Sequence, residues 1–381
     1  MNKIISVIGA RPQFIKAAAL CRAIKQEFST QLQHIIIHTG QHYDKNMSEV
    51  FFDELAIDPP AYHLEMHTEN QIFPMQESIQ GIREIIHKEK PEMVLVYGDT
   101  YSTLAGAMAA EACLLPLAHI EAGMRSFNDM PEEVNRTETD KRASVLFCPT
   151  QTAVNNLINE GLSLDTTKPF HSKNKKIFLS GDIMYDHALF FKNKEIPLSR
   201  SLKNILTLVP SFLLTTIHRK ENTDDEKRLR NIIKGLLLIA DKKQHLVFPM
   251  HPRTKKMLTL FLSPEEQHVF YLHPYIHSLN PVSYLEMMYL ENKADMIITD
   301  SGGVQKEAYF YQKPCIILRP ETEWIEIIES KCGILCNVLP DSIWKAYIAY
   351  TENPPKDFPP FFGNGHAASF ICNSITELLK E

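Results

Sequence analysis

Residues 93–123 read MVLVYGDTYSTLAGAMAAEACLLPLAHIEAG. The apolar run MVLVY breaks at Gly98-Asp99-Thr100, a helical pattern (YSTLAGAMAAEACL) follows, and a second apolar run, LPLAHI, ends on Glu121. Strands that are apolar along their whole length, joined by a helix, are the mark of a parallel sheet with crossover helices.

The same alternation extends in both directions. Strands are expected at IISVI (4–8), HIIIH (34–38), MVLVY (93–97), LPLAHI (115–120) and VLFC (145–148), with a helix over PQFIKAAALCRAIKQEF. A polar stretch, SLDTTKPFHSKNKK (163–176), reads as a linker, after which the pattern resumes at IFLS (177–180), FLLTTI (212–217), HLVFPM (245–250), HVFYLH (268–273), DMIITD (295–300) and CIILR (315–319). A proline-rich stretch at 353–365 precedes a last helix, HAASFICNSITELLKE. With 381 residues, 44% apolar, the chain is long enough for two cores. The expected class is α/β with two Rossmann-like domains: residues 1–170 with a C-terminal helix 366–381 packing back, and residues 171–365.

Charge narrows the partners. A net charge of -6 and pI near 6.3, with no long Lys/Arg block, give no footprint for nucleic acid. No apolar run reaches the roughly 18 to 20 residues that span a bilayer, and MNKIISVIGARP reads as a first core strand, not a secretion signal. The seven cysteines are scattered and suggest neither a zinc site nor a disulfide framework. A cytoplasmic protein with no membrane partner is expected.

In open parallel sheets the ligand crevice lies beyond the carboxyl ends of the strands. Residues just past each strand are therefore the candidates, and they are unusually polar: Arg11 and Lys16 in GARPQFIK, Asp99 in GDT, Glu121 and Arg125 in EAGMR, His218 and Arg219 after FLLTTI, His251 and Arg253 after FPM, and Ser301-Gly302-Gly303 after IITD. Ser301-Gly302-Gly303 lets backbone N–H groups at a helix start approach an anion, and it equally suits a plain tight turn. Arg11 reads as a phosphate clamp or a surface arginine, and Lys16 reaches the same ligand or is solvated. Asp99 is either a cap for the next helix or a reacting carboxylate. Glu121, directly after a strand and before Ala-Gly, has no such cap role and favours function. Glu132 and Glu133, after Pro131, suit the first turn of a helix as well as a site. His218 suits proton transfer or phosphate contact, and Glu307, one helical turn past the glycines, suits ribose hydroxyls or solvent.

Taken in order, GARPQFIK, HTGQHYD, VYGDTYSTLAGA, HIEAGMRSFNDMPEEVNR, LFCPT, SGDIMYD, TIHRKENTDD, MHPRTKK, TDSGGVQKEAYFYQKPCIILR and FGNGHA resemble the non-hydrolysing UDP-N-acetylglucosamine 2-epimerase family over nearly the whole chain. The resemblance implies two Rossmann-like domains facing a cleft, as in GT-B glycosyltransferases. It also implies a UDP-sugar substrate, a reaction through UDP elimination to a 2-acetamidoglucal and re-addition, and a place in surface polysaccharide precursor synthesis. It places Asp99, Glu121 and Glu132 in proton transfer with His218 near the phosphates. Arg11, Lys16 and Arg136 would then face the sugar-phosphate, Ser301 and Gly303 the diphosphate, and Glu307 the ribose, with Arg253 and Gly302 also among the substrate-binding residues. No cofactor or metal is implied, and the family's habit is a homodimer.

Three positions depart from the commoner pattern: Trp324 stands where an arginine is expected, Lys141 where histidine is common, and the loop between Asn128 and Pro131 is short. With HTGQHYD, RSFN, MPEE and TEW, the sequence is closer to the subgroup acting on UDP-2,3-diacetamido-2,3-dideoxyglucuronate. A hydrolysing epimerase that releases UDP and a ManNAc-type sugar, a GT-B glycosyltransferase and a non-catalytic nucleotide-sugar binder are the alternatives at this stage.

Overall fold

The computed structural model describes residues 1–41, 52, 54, 55, 57–64 and 74–380. The chain divides into two compact units, one of residues 1–187 with 360–381 and one of residues 188–359.

The first unit is built on a seven-stranded parallel sheet of β1 (Asn2–Ile8), β2 (Leu32–His38), β3 (Tyr62–His63), β4 (Met93–Tyr97), β5 (Leu117–Ile120), β6 (Val145–Cys148) and β7 (Lys176–Leu179). Their order is β3-β2-β1-β4-β5-β6-β7, so the winding reverses between β1 and β4. Ile4, Ile5, Val7 and Ile8 of β1 and all of β4 are buried, as expected of strands covered on both faces. The helices are α1 (Arg11–Ala23, extended by a π-helical turn Ile24–Phe28), α2 (Met75–Glu89), α3 (Tyr101–Ala112), α4 (Pro131–Arg142), α5 (Gln151–Asn159) and α6 (Ile183–Lys192), the last running across the division between units.

The second unit repeats the plan. Its strands β8 (Leu213–Thr216), β9 (Leu246–Pro249), β10 (Ile276–Leu279), β11 (Met296–Thr299), β12 (Cys315–Ile317) and β13 (Gly333–Leu335) lie in the order β10-β9-β8-β11-β12-β13, reversing between β8 and β11. Leu213, Phe248, Ile298 and Ile316 point into one apolar cluster, and Leu214, Val247, Ile297 and Ile317 into another, so alternate residues fill both faces. Helices α7 (Arg200–Leu208), α8 (Lys220–Thr223), α9 (Glu226–Ala240), α10 (Pro252–Phe261), α11 (Pro264–Tyr271), α12 (Tyr284–Lys293), α13 (Gly302–Phe310), α14 (Ile325–Glu329) and α15 (Pro340–Glu352) complete it, while α16 (Ala367–Leu378) belongs to the first unit.

Two expectations change. HVFYLH is not a strand: Pro264 starts α11, the Ser263 hydroxyl accepts the Glu266 N–H at 3.3 Å, and the Glu266 carboxylate accepts the Ser263 N–H at 2.8 Å. That capping box overrides the β preference of the residues downstream, and the strand begins only at Ile276. The strand at IFLS pairs with β6 in the first sheet, Val145 beside Lys176 through Cys148 beside Leu179. The polar stretch before it is thus a surface crossover within the first unit, and the divisions fall at 187/188 and 359/360 instead of 170/171 and 365/366. Two quoted motifs meet where the chain returns. Asp182 of SGDIMYD donates its N–H to the Phe362 carbonyl at 2.9 Å, and the Asp186 carboxylate accepts the N–H groups of Ala367 and Ala368 at 3.0 and 2.7 Å. It thereby caps α16.

Candidate active site

In each unit the crevice is expected where the winding reverses, and the polar residues singled out in the sequence gather there. In the first unit Gln13 ties the two central strand ends together: its carbonyl accepts the N–H groups of Gly9 and Ala10 at 2.8 and 3.0 Å, and its amide donates to Tyr97 O and Thr103 Oγ1 at 3.2 and 2.9 Å. Only glycine fits at position 9, where a Cβ would lie 2.0 Å from Thr39 Oγ1.

Over Gly98 lies the central ion pair. Lys16 is 4% exposed, and its Nζ sits 2.6 Å from Glu121 Oε1, with side-chain exposures of 5% and 13%. A Cβ on Gly98 (φ +63°) would come 2.9 Å from Lys16 Nζ and 3.3 Å from Glu121 Oε1. Glu121 itself adopts φ +70°, a conformation that costs a non-glycine residue about 1–3 kcal/mol. It is held there by N–H bonds of Glu121 and Ala122 to Phe147 O at 3.1 and 3.0 Å.

Asp99 leaves the capping role to its neighbour, since the Thr100 hydroxyl accepts the Thr103 N–H at 3.3 Å. The Asp99 carboxylate instead takes a hydrogen bond from Arg136 Nη2, and the Asp99 carbonyl accepts the Asn135 side-chain amide at 3.0 Å. Arg136 also donates to Ser126 Oγ at 3.0 Å and lies 3.5 Å from Glu133. Burial opposes its charge, but Asp99, Glu133 and Glu121 outweigh it and hold the guanidinium above its usual range. Glu133 is buried and accepts the Ser126 N–H at 2.8 Å, so it folds the loop before α4. Glu132 is exposed on the first turn of α4, and Arg11 is exposed at the first position of α1. Gln41 of HTGQHYD accepts the Ser102 N–H and hydroxyl at 3.0 and 2.7 Å, while His42, Tyr43 and Asp44 lie outside the described residues.

In the second unit the corresponding reversal is organised by Asp300, which is fully buried. It accepts the N–H groups of His218 at 3.1 Å and Arg219 at 3.1 Å and the Asn222 amide at 3.0 Å. The His218 ring, 41% exposed, turns its Nδ1 to 3.5 Å from the same carboxylate. Ser301 follows as the cap of α13, its hydroxyl accepting the Val304 N–H at 3.4 Å. The N–H groups of Gly302 and Gly303 open that helix, where no acceptor exists inside the helix. Beside them Arg319 meets Glu323 at 2.9 Å. Burial raises the Glu323 carboxyl, but Arg319 and then Arg219 outweigh it and hold it below the usual range. Glu307 is buried and accepts the Tyr284 hydroxyl at 3.3 Å. Arg253 is engaged by Asp224 and by Thr223 Oγ1, the latter at 3.0 Å. Trp324 is buried with the Lys306 ammonium 4.1 Å above its ring.

The sequence reading missed the two buried aspartates, Asp140 and Asp300, on which the strand-end loops hang. Asp140 had a signal in its spacing, one turn beyond Arg136 on α4; Asp300 had one in its place directly before Ser301. Among the described residues no group of three or more His, Cys, Asp or Glu side chains is arranged to hold a metal ion, and no helix is long and apolar enough to cross a membrane.

Residues 23–376 match the family model described as UDP-N-acetylglucosamine 2-epimerase. The chain is 42% identical over 379 residues, 99% of its length and 100% of the relative's, to the UDP-2,3-diacetamido-2,3-dideoxy-D-glucuronate 2-epimerase of Pseudomonas aeruginosa. Its fold is similar to the crystal structure of Methanocaldococcus jannaschii UDP-GlcNAc 2-epimerase in complex with UDP-GlcNAc and UDP (TM-score 0.82, 36% identity, 98% of this chain and 99% of that one). It is also similar to UDP-GlcNAc 2-epimerase from Neisseria meningitidis bound to UDP-GlcNAc (TM-score 0.82, 27% identity, 98% and 100%). Two doubly wound parallel sheets that share the order 3-2-1-4-5-6, the first carrying one strand more, matched over this length, make the architecture GT-B-like α/β. The chain belongs to the UDP-N-acetylglucosamine 2-epimerase family.

Proposed function

We propose that the protein is a cofactor-free, non-hydrolysing 2-epimerase of UDP-2-acetamido sugars. The observation that supports this most is Glu121. A carboxylate kept at φ +70° and paired with a buried lysine at the winding reversal is an expensive arrangement that a simple anion binder has no use for.

The C2–H of the sugar is a weak acid, so its removal needs a carboxylate held in place and shielded from water. In this reading a carboxylate takes that proton while the C1–O bond to UDP breaks, leaving the C1=C2 double bond of a 2-acetamidoglucal. A second acid returns a proton to the other face of C2, and the UDP oxygen re-adds to C1. Asp99, Glu121 and Glu132 are the set from which base and acid are drawn. Lys16, Arg136 and Arg11 serve the sugar-phosphate, stabilising charge on departing UDP. Ser301, Gly302 and Gly303 receive the diphosphate with His218 and Arg253, and Glu307 the ribose.

The 42% identity to the Pseudomonas aeruginosa enzyme, with Trp324 in place of an arginine, favours UDP-2,3-diacetamido-2,3-dideoxyglucuronate over UDP-N-acetylglucosamine. We read the protein as a cytoplasmic homodimer that supplies surface polysaccharide precursors. The test is to incubate the protein with each UDP-sugar and separate the products. The manno epimer with UDP still attached supports the proposal, and the faster substrate settles the sugar. Free UDP in step with free sugar marks hydrolysis and refutes it.

A further inference from the structure

His119, which opens HIEAGMR, and Asp140 of α4 have no part in the reaction above, and both are buried, at 0% and 3% exposure. We infer that Asp140, acting partly through His119, is a positioning residue that fixes the backbone on both sides of Glu121 and the peptide that precedes Asp99. The inference rests on the epimerase reading, because only there does the placing of those two carboxylates govern turnover.

The geometry is a single carboxylate gripping two strand-end loops. His119 Nε2 lies 2.7 Å from the Gly98 carbonyl; a carbonyl only accepts, so Nε2 donates. Nδ1 lies 2.6 Å from Asp140 Oδ1. A bare nitrogen lone pair would be repelled by a carboxylate oxygen at that distance, so a proton lies between these atoms as well. The other oxygen, Oδ2, accepts the Gly123 N–H at 3.1 Å and Arg125 Nη1 at 2.8 Å. Arg125 is anchored in turn by Glu160, which accepts from Nε and Nη2 at 2.5 and 2.8 Å.

Asp140 is therefore bonded, directly or through one ring, to residues 98, 119, 123 and 125. Glu121 sits in the middle of that span. Its positive φ persists only where the surroundings over-determine it, and these bonds supply part of that constraint. On the other loop, the Gly98 carbonyl is held by His119 while the Gly98 N–H bonds Ile120 O at 2.9 Å. Gly98 is thereby tied at both its N–H and its carbonyl, so the peptide leading into Asp99 is held at its carbonyl end. Burial works against the Asp140 charge, but His119 and Arg125 outweigh it and keep the carboxyl below its usual range.

Three substitutions test this. Gln at 119 places an amide nitrogen near the position of Nε2, and Asn places one near Nδ1. Asp140→Asn keeps the shape of the carboxylate and removes its charge. With whichever of UDP-N-acetylglucosamine and its 2,3-diacetamido-glucuronate analogue the wild type turns over, Asp140→Asn and His119→Asn are expected to lower kcat about 10- to 100-fold and leave KM within about threefold. His119→Gln, which keeps the bond to Gly98, retains more kcat than His119→Asn. A folded Asp140→Asn with wild-type kcat overturns the inference, as do equal kcat values for the two His119 variants or a loss confined to KM. Should Asp140→Asn fail to fold by circular dichroism, the His119 pair decides. An inactive wild type refutes the epimerase reading instead. The grip itself is then read by amide hydrogen exchange at residues 98–100 and 121–124, faster in His119→Asn if the inference holds and unchanged if it does not.

Discussion

Glu121→Gln removes one charge and almost no volume. With Lys16 Nζ and Glu121 Oε1 2.6 Å apart, the gross attraction at an effective dielectric near 20 is about 6 kcal/mol. Part of that does not appear as lost stability, because the amide oxygen still accepts from Lys16 and the desolvation cost of one charge is removed. The buried Lys16 ammonium is left without its counter-charge, so the net loss is about 3–5 kcal/mol, within the about 5–15 kcal/mol that stabilises a typical protein. If the carboxylate carries a proton in the reaction, turnover falls by about 10²–10⁴-fold in the same variant. The assay pairs a circular dichroism melt with C2–H exchange followed by proton NMR. Glu121→Gly separates the two roles further: it relieves the strain at φ +70°, offsetting about 1 kcal/mol of the lost pairing, and is equally inactive. A folded Glu121→Gln that exchanges C2–H within about tenfold of wild type would refute the reasoning.

Other outcomes follow from the same geometry. Asp300→Asn leaves the His218 and Arg219 N–H groups and the Asn222 amide sharing a neutral acceptor, at about 1–3 kcal/mol in chemical denaturation and with weaker UDP binding by calorimetry; unchanged values would show that the carboxylate is idle. Gly302→Ala puts a Cβ 2.5 Å from Glu323 Oε1. It should push that carboxylate off Arg319 for about 1 kcal/mol of stability and raise the UDP Kd about tenfold, so an unaltered Kd would count against an anion site there. Burial, opposed by the N–H bonds of Ala368 and Ala367, raises the Asp186 carboxyl to about 6, above an unfolded value of about 3.9. The folded state then binds this proton more tightly, so the group's contribution falls as pH rises from about 4 to 6 and stays low above. The stability of Asp186→Asn relative to wild type should therefore rise by about 1 kcal/mol between pH 5 and 7, whereas a fall would mean that the ionised form is the stabilised one.

Most strands were legible because they are largely apolar runs, whereas the short β3 (Tyr62–His63), β10 (Ile276–Leu279) and β13 (Gly333–Leu335) were not, and the crevice rule then pointed to Arg11, Asp99, Glu121, His218, Arg219, His251, Arg253 and residues 301–303. The first unit's Lys16–Glu121 pair joins residues 105 apart in sequence, and no local pattern predicts such a partnership. The same holds for His218 and Asp300, 82 apart, and for His119 and Asp140, 21 apart. Asp99 is instructive in the opposite sense, since local rules offered it a capping role that Thr100 takes. At residues 268–273 the β preference of valine, phenylalanine and tyrosine misled because the signal that mattered, Ser263 with Glu266, lies upstream. The polar stretch 163–176 looked like a linker because crossover loops and linkers are both solvated.

The most direct test of the central claim is proton NMR of the wild-type protein with each UDP-sugar in D2O. The account predicts the manno epimer with deuterium at C2 and UDP retained on the sugar. Epimer formed with the original hydrogen still at C2, or no exchange at C2 with either substrate, would contradict it.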